Sequence, residues 1–186
     1  MTLLATAGEG TLYSCTAGIC TKISPAAKDV GYYKNADITV PYIECYQDSD
    51  TPSFKCKAIA DSETEACGAT TVGKLIKGGK LCLSSSIGQT FLASGATASS
   101  YLMTFDSGSI YSKNIGEEGK YGVVSFTENS MTIDTASAST ETICVTNSNL
   151  LVSSGTCNES TKKEYKKCSA SVCFNACDIT SGNDCK

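Results

Sequence analysis

Residues 12–23 read LYSCTAGICTKI, and this stretch places two cysteines in a run that alternates apolar and polar residues. Such alternation is typical of a β-strand with one buried face. Four residues separate Cys15 from Cys20, and a loop of that length brings the flanking strand positions opposite each other. Opposed positions lie close to the Cα separation of about 5.5–6 Å that a disulfide prefers. The spacing therefore predicts a hairpin closed by a Cys15–Cys20 disulfide.

The same spacing occurs near the other end of the sequence, where residues 165–177 read YKKCSASVCFNAC. Ser-Ala-x-Val lies between Cys168 and Cys173, and Thr-Ala-x-Ile lies between the two cysteines of the first pair. Two occurrences indicate a structural module and predict a second disulfide, Cys168–Cys173. A disulfide ring this small removes little entropy from the unfolded chain, so its stabilisation of the hairpin is limited to about 2 kcal/mol.

A zinc centre or a redox-active pair would require a different arrangement of cysteines. Zinc sites usually present C-x2-C knuckles, often with histidine, and thioredoxin-type pairs place C-x-x-C at the start of a helix. The sequence contains neither a C-x-x-C motif nor a histidine. The cysteines are therefore interpreted as structural, and the sequence predicts no metal site and no cofactor.

Other cysteines fit the same hairpin logic with wider loops. Cys45 and Cys56 flank a longer connection between YIEC and FKC, and Cys144 and Cys157 flank VTNSNLLVSSGT. Both are predicted disulfides. The sequence leaves four cysteines without an assigned partner: Cys67, Cys82, Cys177 and Cys185.

Composition limits the compartment and the classes of partner. Twelve cysteines, an even number, indicate an oxidising environment and hence an extracellular protein, secreted or at the cell surface. A net charge of -4 does not favour nucleic acid, and no run approaches the roughly 18–20 apolar residues needed for membrane insertion. The opening MTLLATAGEG lacks the basic and apolar regions of a signal peptide, so we expect a piece of a longer secreted protein.

The distribution of cysteines divides the sequence into three regions. Cysteine-rich regions at 10–70 and 143–186 flank a cysteine-poor region, 71–142, that also reads as β-structure. We interpret residues 1–186 as a single β-rich module that could lie beside neighbouring repeats of the same chain.

Two hairpins are predicted in the central region. In KLIKGGKLCLS, Gly78 and Gly79 can both adopt positive φ and form a tight turn. In GVVSFTENSMTID, the turn falls at Glu128-Asn129. The apolar positions around this turn are predicted to form facing buried rows: Val124, Phe126, Met131 and Ile133.

The fold class predicted from these patterns is all-β, with short disulfide-stapled hairpins and small sheets. No stretch of ten or more residues has a helical period, and short strand-like runs alternate with turn residues. The packing is expected to be either sandwich-like or repeat-stacked.

Residues that could carry catalysis form no recognisable constellation. The absence of histidine removes the usual base of a nucleophilic triad. A glycosidase needs only two carboxylates, but the candidates lie in apparent turns: Glu44, Asp48, Asp50, Asp106, Glu117 and Glu118. The Asp48–Asp50 stretch resembles the start of a calcium loop without its glycine and distal glutamate. The sequence is therefore interpreted as non-enzymatic.

Aromatic residues crowd into one short region of the sequence. They could cover the disulfides of a thin core or form a partner-binding face, because aromatic anchors concentrate binding energy. The five residues of this candidate face are Tyr32, Tyr33, Tyr42, Tyr46 and Phe54. A separate sequon predicts glycosylation of Asn158.

Several short motifs give the chain a family resemblance. GYYKNAD followed by PYIEC, the Y-x-x-C and C-x4-C hairpins, and ETICVTNSNLLVSSGTC later in the chain resemble repeats of the giant cysteine-rich scaffoldins and related surface proteins of anaerobic gut fungi. The resemblance implies a turn at Gly31, Tyr32, Tyr33 and Asn35, followed by a strand that contains Tyr42 and Cys45. The cysteine-poor centre departs from the pattern of the end regions.

The resemblance implies a cohesin-like scaffoldin segment that binds the dockerins of cellulases and hemicellulases in a fungal cellulosome. Such a module is non-catalytic, in keeping with the missing catalytic constellation. Similar repeats could instead serve as structural cell-wall, spore-surface or adhesion proteins. A glycosidase with paired carboxylates is a third hypothesis.

Overall fold

The structure is a computed structural model that describes residues 2–5, 12–48, 50–104, 113–114, 117–118, 122–133, 142–146, 148–153, 163–166 and 177–178. Within these ranges the regular elements are eighteen strands and one short 3-10 helix, Ala27–Asp29. In chain order the strands are β1 (Thr2–Ala5), β2 (Leu12–Thr16), β3 (Ile19–Ile23), β4 (Gly31–Lys34), β5 (Tyr42–Gln47), β6 (Phe54–Ile59), β7 (Leu75–Ile76), β8 (Lys80–Cys82), β9 (Gly88–Thr90), β10 (Ser99–Leu102), β11 (Lys113–Asn114), β12 (Glu117–Glu118), β13 (Val123–Phe126), β14 (Ser130–Ile133), β15 (Thr142–Val145), β16 (Val152–Ser153), β17 (Lys163–Lys166) and β18 (Cys177–Asp178). The predicted all-β fold class is confirmed.

The strands form five antiparallel sheets. The largest has six strands in the order β10-β13-β14-β4-β5-β6, and the smaller ones have the orders β1-β2-β3, β7-β8-β9, β11-β12 and β16-β15-β17-β18. A bridge between Tyr101 and Leu151 and a 2.9 Å hydrogen bond from the Leu102 N–H to the Leu150 carbonyl join β10 to the segment before β16. The six-stranded sheet is thus joined at its edge strand β10 to the segment that leads into the four-stranded sheet.

One face of the six-stranded sheet carries the larger core. The predicted rows are confirmed: Val124 lies opposite Ile133, Phe126 lies opposite Met131, and all four side chains are buried. The small sheet β7-β8-β9 and the residues next to its strands supply part of this core, including Val72 before β7, Leu81 in β8 and Leu83 after β8. Each such side chain contributes about 1.5–3 kcal/mol on full burial.

The opposite face carries a second, smaller core. Tyr33, Ile43, Cys45 and Cys56 are buried there against Leu12 of the N-terminal sheet. Tyr32 belongs to the first core and Tyr33 to the second, because consecutive residues of a strand point to opposite faces. Covering layers on both faces correspond to the sandwich-like alternative.

The turn expected at Gly31, Tyr32, Tyr33 and Asn35 is wrong, because residues 31–34 form the central strand β4. Gly31 has φ +145°, and a Cβ atom there would lie 2.1 Å from the Met131 carbonyl oxygen. Glycine thus permits β4 to approach β14 closely. The turn begins after β4, at Asn35, whose side-chain amide donates to the Val40 carbonyl at 2.8 Å. The strand expected to contain Tyr42 and Cys45 is confirmed as β5.

Local hairpins form where the sequence placed them. Gly78 and Gly79 connect β7 to β8 with φ values of 74° and 68°. Glu128 and Asn129 lie between the paired strands β13 and β14. Both predictions are confirmed. Such hairpins can be predicted because residues adjacent in the chain determine them.

Three disulfides are described. Cys15–Cys20 and Cys45–Cys56 are confirmed, and each joins directly opposed residues of a hairpin. The third, Cys67–Cys82, uses two cysteines that the sequence left unassigned.

The remaining disulfide predictions lie partly or wholly outside the described residues. Cys144 is buried and disulfide-bonded, but its predicted partner Cys157 is outside the described ranges. Cys168, Cys173 and the sequon residue Asn158 also lie outside the described ranges.

The buried hydroxyl of Tyr33 predicts loss of stability in alkali. It donates to the Asp29 carbonyl at 2.7 Å, and burial, with the nearby Asp29 charge, raises the pKa of Tyr33 well above its usual value. The unfolded chain releases this proton at about pH 10 while the folded chain retains it. Stability is therefore intact below pH 10, and the free energy of unfolding falls by up to about 1.4 kcal/mol per pH unit above it.

The measurement is urea unfolding between pH 7 and pH 11.5 for the wild-type protein and for Tyr33→Phe. The variant loses about 1 kcal/mol at pH 7 with its hydrogen bond, but its stability falls less steeply above pH 10. Parallel pH profiles of the two proteins would show that Tyr33 does not titrate in this way.

Candidate functional site

The candidate binding residues are separated by the alternation of β4. Tyr32 is buried in the larger core, and its hydroxyl donates to the Gly73 carbonyl at 3.2 Å. Tyr33 is buried in the smaller core. Neither side chain lies on an exposed face, so the structure removes these two tyrosines from the binding face expected from the sequence.

Tyr46 and Phe54 lie at the border of the larger core. Both are partly buried and pack against it. The Lys57 ammonium lies 5.0 Å from the centre of the Tyr46 ring and also pairs with Glu44 at 3.1 Å. These aromatic rings chiefly cover the core under a charged layer.

Tyr42 is the member of the predicted cluster that reaches the surface in a concave region. It is the first residue of β5, and its ring lies nearly parallel to that of Phe91, with an interplanar angle of 10° and 6.1 Å between centroids. A Cβ atom on Gly79 would lie 2.8 Å from the Tyr42 ring, so glycine at this turn leaves room for the ring. Burial, with the nearby Asp61 charge, raises the pKa of Tyr42.

Tyr42 and Phe91 form one wall of a groove of about 430 Å³, which we call the aromatic groove. Its lining residues are Lys34, Asn35, Ile38, Pro41, Tyr42, Gly78, Thr90 and Phe91. Ile38 is 89% exposed, an unusual state for an aliphatic side chain. The groove thus combines an anchored aromatic wall with an exposed apolar rim.

Sequence reasoning missed Ile38 and Phe91. The available signal for Ile38 was an isoleucine within the turn-like stretch NADITVP. Phe91 follows β9, and its contact with Tyr42 depends on the packing of the β7-β8-β9 sheet, which no local pattern indicates.

The charged groups in and beside the groove differ in the contacts they make. The Lys34 ammonium lies 5.4 Å from the centre of the Phe91 ring. The flanking carboxylates accept hydrogen bonds from the protein itself. Asp37 accepts from the Thr39 N–H and hydroxyl at 2.9 and 2.7 Å, and Asp61 accepts at 3.0 Å from the N–H of Gly78 in the β7–β8 turn. The hydrogen bonds from Thr39 lower the pKa of Asp37.

Two of the carboxylates that were considered for catalysis or calcium binding pair with lysines of the sheet. Asp48 pairs with Lys55 at 2.5 Å, and this bond, with those from the Asp50 N–H and the Thr51 hydroxyl, lowers the pKa of Asp48 to about 2. Glu44 pairs with Lys57. Asp106 and the side chains of Glu117 and Glu118 lie outside the described part of the chain.

The described ranges contain neither a cluster of metal ligands nor a membrane-spanning helix. There, no group of three or more histidine, cysteine, aspartate or glutamate residues is arranged to hold a metal ion. No helix in that part of the chain is long and apolar enough to cross a membrane.

No protein-family model, curated protein or solved structure matches this chain. The resemblance to the fungal scaffoldins therefore rests on short sequence motifs alone, at residues 31–45 and 141–157 and in the C-x4-C hairpins.

Proposed function

We propose that this chain is a non-catalytic extracellular module that binds another protein through the aromatic groove. The occupant to which the proposal commits is a dockerin of a cellulase or hemicellulase, as the scaffoldin resemblance implies. The observation that carries the proposal is an exposed apolar groove on a disulfide-braced sheet.

The apolar rim supports a docking role. Ile38 exposes 89% of its surface beside Pro41 and the Tyr42–Phe91 wall. Contiguous apolar surface with aromatic anchors is typical of interaction sites, and its burial by a partner is favourable. Binding energy would concentrate at these residues.

The aromatic wall is also held in place before any partner arrives. Tyr42 begins a strand that is paired on both sides, with Lys34 of β4 and Ile59 of β6. Three residues further along β5, Cys45 is bonded to Cys56 of the neighbouring strand. A wall ordered in advance loses little entropy on association.

The polar groups of the groove favour a protein over a polysaccharide. A sugar site needs several side-chain donors and acceptors to fix its hydroxyl groups. Here the Asn35 amide already donates to the Val40 carbonyl, and Ile38 and Pro41 add aliphatic surface beside the Tyr42–Phe91 wall. The lining thus matches apolar side chains better than sugar hydroxyls.

Groove substitutions are expected to weaken dockerin binding strongly. Replacing Tyr42 by alanine removes the aromatic anchor, and Ile38→Ala removes an exposed rim contact; we expect affinity losses of at least about 30-fold and about 5-fold respectively. Isothermal titration calorimetry of the oxidised protein with a dockerin from an anaerobic-fungal cellulase measures both.

Ile19→Ala is the matched control for Ile38→Ala, because Ile19 is 73% exposed on β3 and does not line the groove. It should bind as the wild type does. No heat and no co-elution with the dockerin at high concentration would overturn the dockerin proposal. Retention of cell-wall polysaccharide or self-association in its place would favour the structural alternative.

A further inference from the structure

We infer that the aromatic groove binds an extended segment of its partner that carries a carboxylate beside apolar side chains. The carboxylate would lie on the Lys34 ammonium, and the apolar side chains would lie on Tyr42, Phe91 and Ile38. This inference rests on the proposed function and specifies the chemistry of the segment that is recognised.

Lys34 is the cation of the groove lining. Its side chain is exposed, it ends β4, and it lies directly opposite Tyr42 in the strand pairing. Each ion pair found among the described residues involves another lysine: Lys28, Lys55, Lys57 or Lys77. Within the described part of the chain, the exposed Lys34 ammonium lies over the Phe91 ring and makes no ion pair, so a ligand carboxylate can approach it.

The anions near the groove do not neutralise this lysine by contact. None of the eight lining residues is acidic. The Asp37 carboxylate accepts from the Thr39 N–H within its own turn, and the Asp61 carboxylate accepts from the N–H of Gly78 in the β7–β8 turn. In a chain of net charge -4, the lining itself presents a positive group.

The position of Lys34 over Phe91 indicates which groups a ligand would need to present together. A cation 5.4 Å from the ring centre and an apolar surface beside it can be engaged together by an acidic residue next to apolar ones. The groove lining includes Asn35, Ile38 and Pro41 of one turn and Gly78 of another. An extended segment can present a carboxylate and neighbouring apolar side chains to such a surface together. The exposed edge of Ile38 then covers the apolar neighbours of the carboxylate.

Selection from a random displayed peptide library against the oxidised full chain tests the inference. We expect enriched sequences to contain Asp or Glu next to apolar residues. Synthetic versions of these peptides should bind Lys34→Met about fivefold more weakly than wild type, while Lys34→Arg retains most of the affinity. Raising the salt from 50 to 500 mM should weaken wild-type binding more than binding to Lys34→Met.

Lys22→Met serves as the matched control, because Lys22 is exposed on β3 outside the groove. It should leave peptide affinity unchanged. Peptides that require Tyr42 but bind Lys34→Met as tightly as wild type would overturn the carboxylate inference and leave the groove proposal standing. Neither dockerin nor peptide binding, or binding indifferent to Tyr42→Ala, would overturn the groove proposal itself.

Discussion

Replacement of Gly31 by alanine is expected to lower the free energy of unfolding by about 3 kcal/mol or more. The added Cβ would lie 2.1 Å from the Met131 carbonyl oxygen and 2.9 Å from the Thr132 Cα atom, both backbone atoms of β14. The φ of +145° is also unfavourable for alanine. Strands β4 and β14 must separate, and both cores include residues of β4. Urea unfolding at pH 7 measures the loss.

Gly95→Ala isolates the steric part of this effect. Gly95 also has positive φ, +78°, but no atom lies within 4 Å of its added Cβ. Its replacement should cost only the backbone term, about 1 kcal/mol. Equal losses for the two substitutions would show that the close approach of β4 to β14 is not present in solution.

Removal of the Cys45–Cys56 disulfide is expected to cost about 4 kcal/mol. Closing a loop between cysteines 11 residues apart removes about 3 kcal/mol of entropy from the unfolded chain. Both cysteines are buried in the smaller core, so replacing them by alanine leaves a cavity worth about 1 kcal/mol more. Chemical denaturation of Cys45→Ala/Cys56→Ala against the wild-type protein measures the sum.

Cys15→Ala/Cys20→Ala is the control for the buried pair. Its disulfide closes a shorter loop, with a separation of 5, and Cys20 is exposed, so the loss should be about 2 kcal/mol without a cavity term. A greater loss from the exposed pair than from the buried pair would contradict the assignment of the core to β4, β5 and β6.

Sequence patterns predicted the parts of the fold that local contacts determine. The hairpins at Cys15–Cys20, Gly78-Gly79 and Glu128-Asn129 have both strands adjacent in the chain, so periodicity and turn residues suffice to identify them. The turn at residues 31–35 was implied by the scaffoldin resemblance, and it is wrong because β4 pairs there with β5 and with β14, a strand distant in sequence. The Cys67–Cys82 bond was missed because its long connection is not a simple hairpin.

The candidate site was predicted in part for the same reason. The aromatic cluster drew attention to Tyr42, which does line the groove. Proximity in sequence could not separate it from Tyr32 and Tyr33, which β4 directs into two different cores. The other aromatic residue of the groove, Phe91, comes from a separate sheet and becomes part of the groove only through tertiary packing.

Hydrogen–deuterium exchange of the oxidised protein, with and without saturating dockerin, tests the proposed docking surface most directly. Protection is expected in residues 34–42 and 78–91, which contribute the lining of the aromatic groove. Residues 12–23, which lie outside it, should exchange equally in both samples. A bound complex in which 12–23 is protected and the groove segments are not would contradict the assignment of the groove as the binding surface.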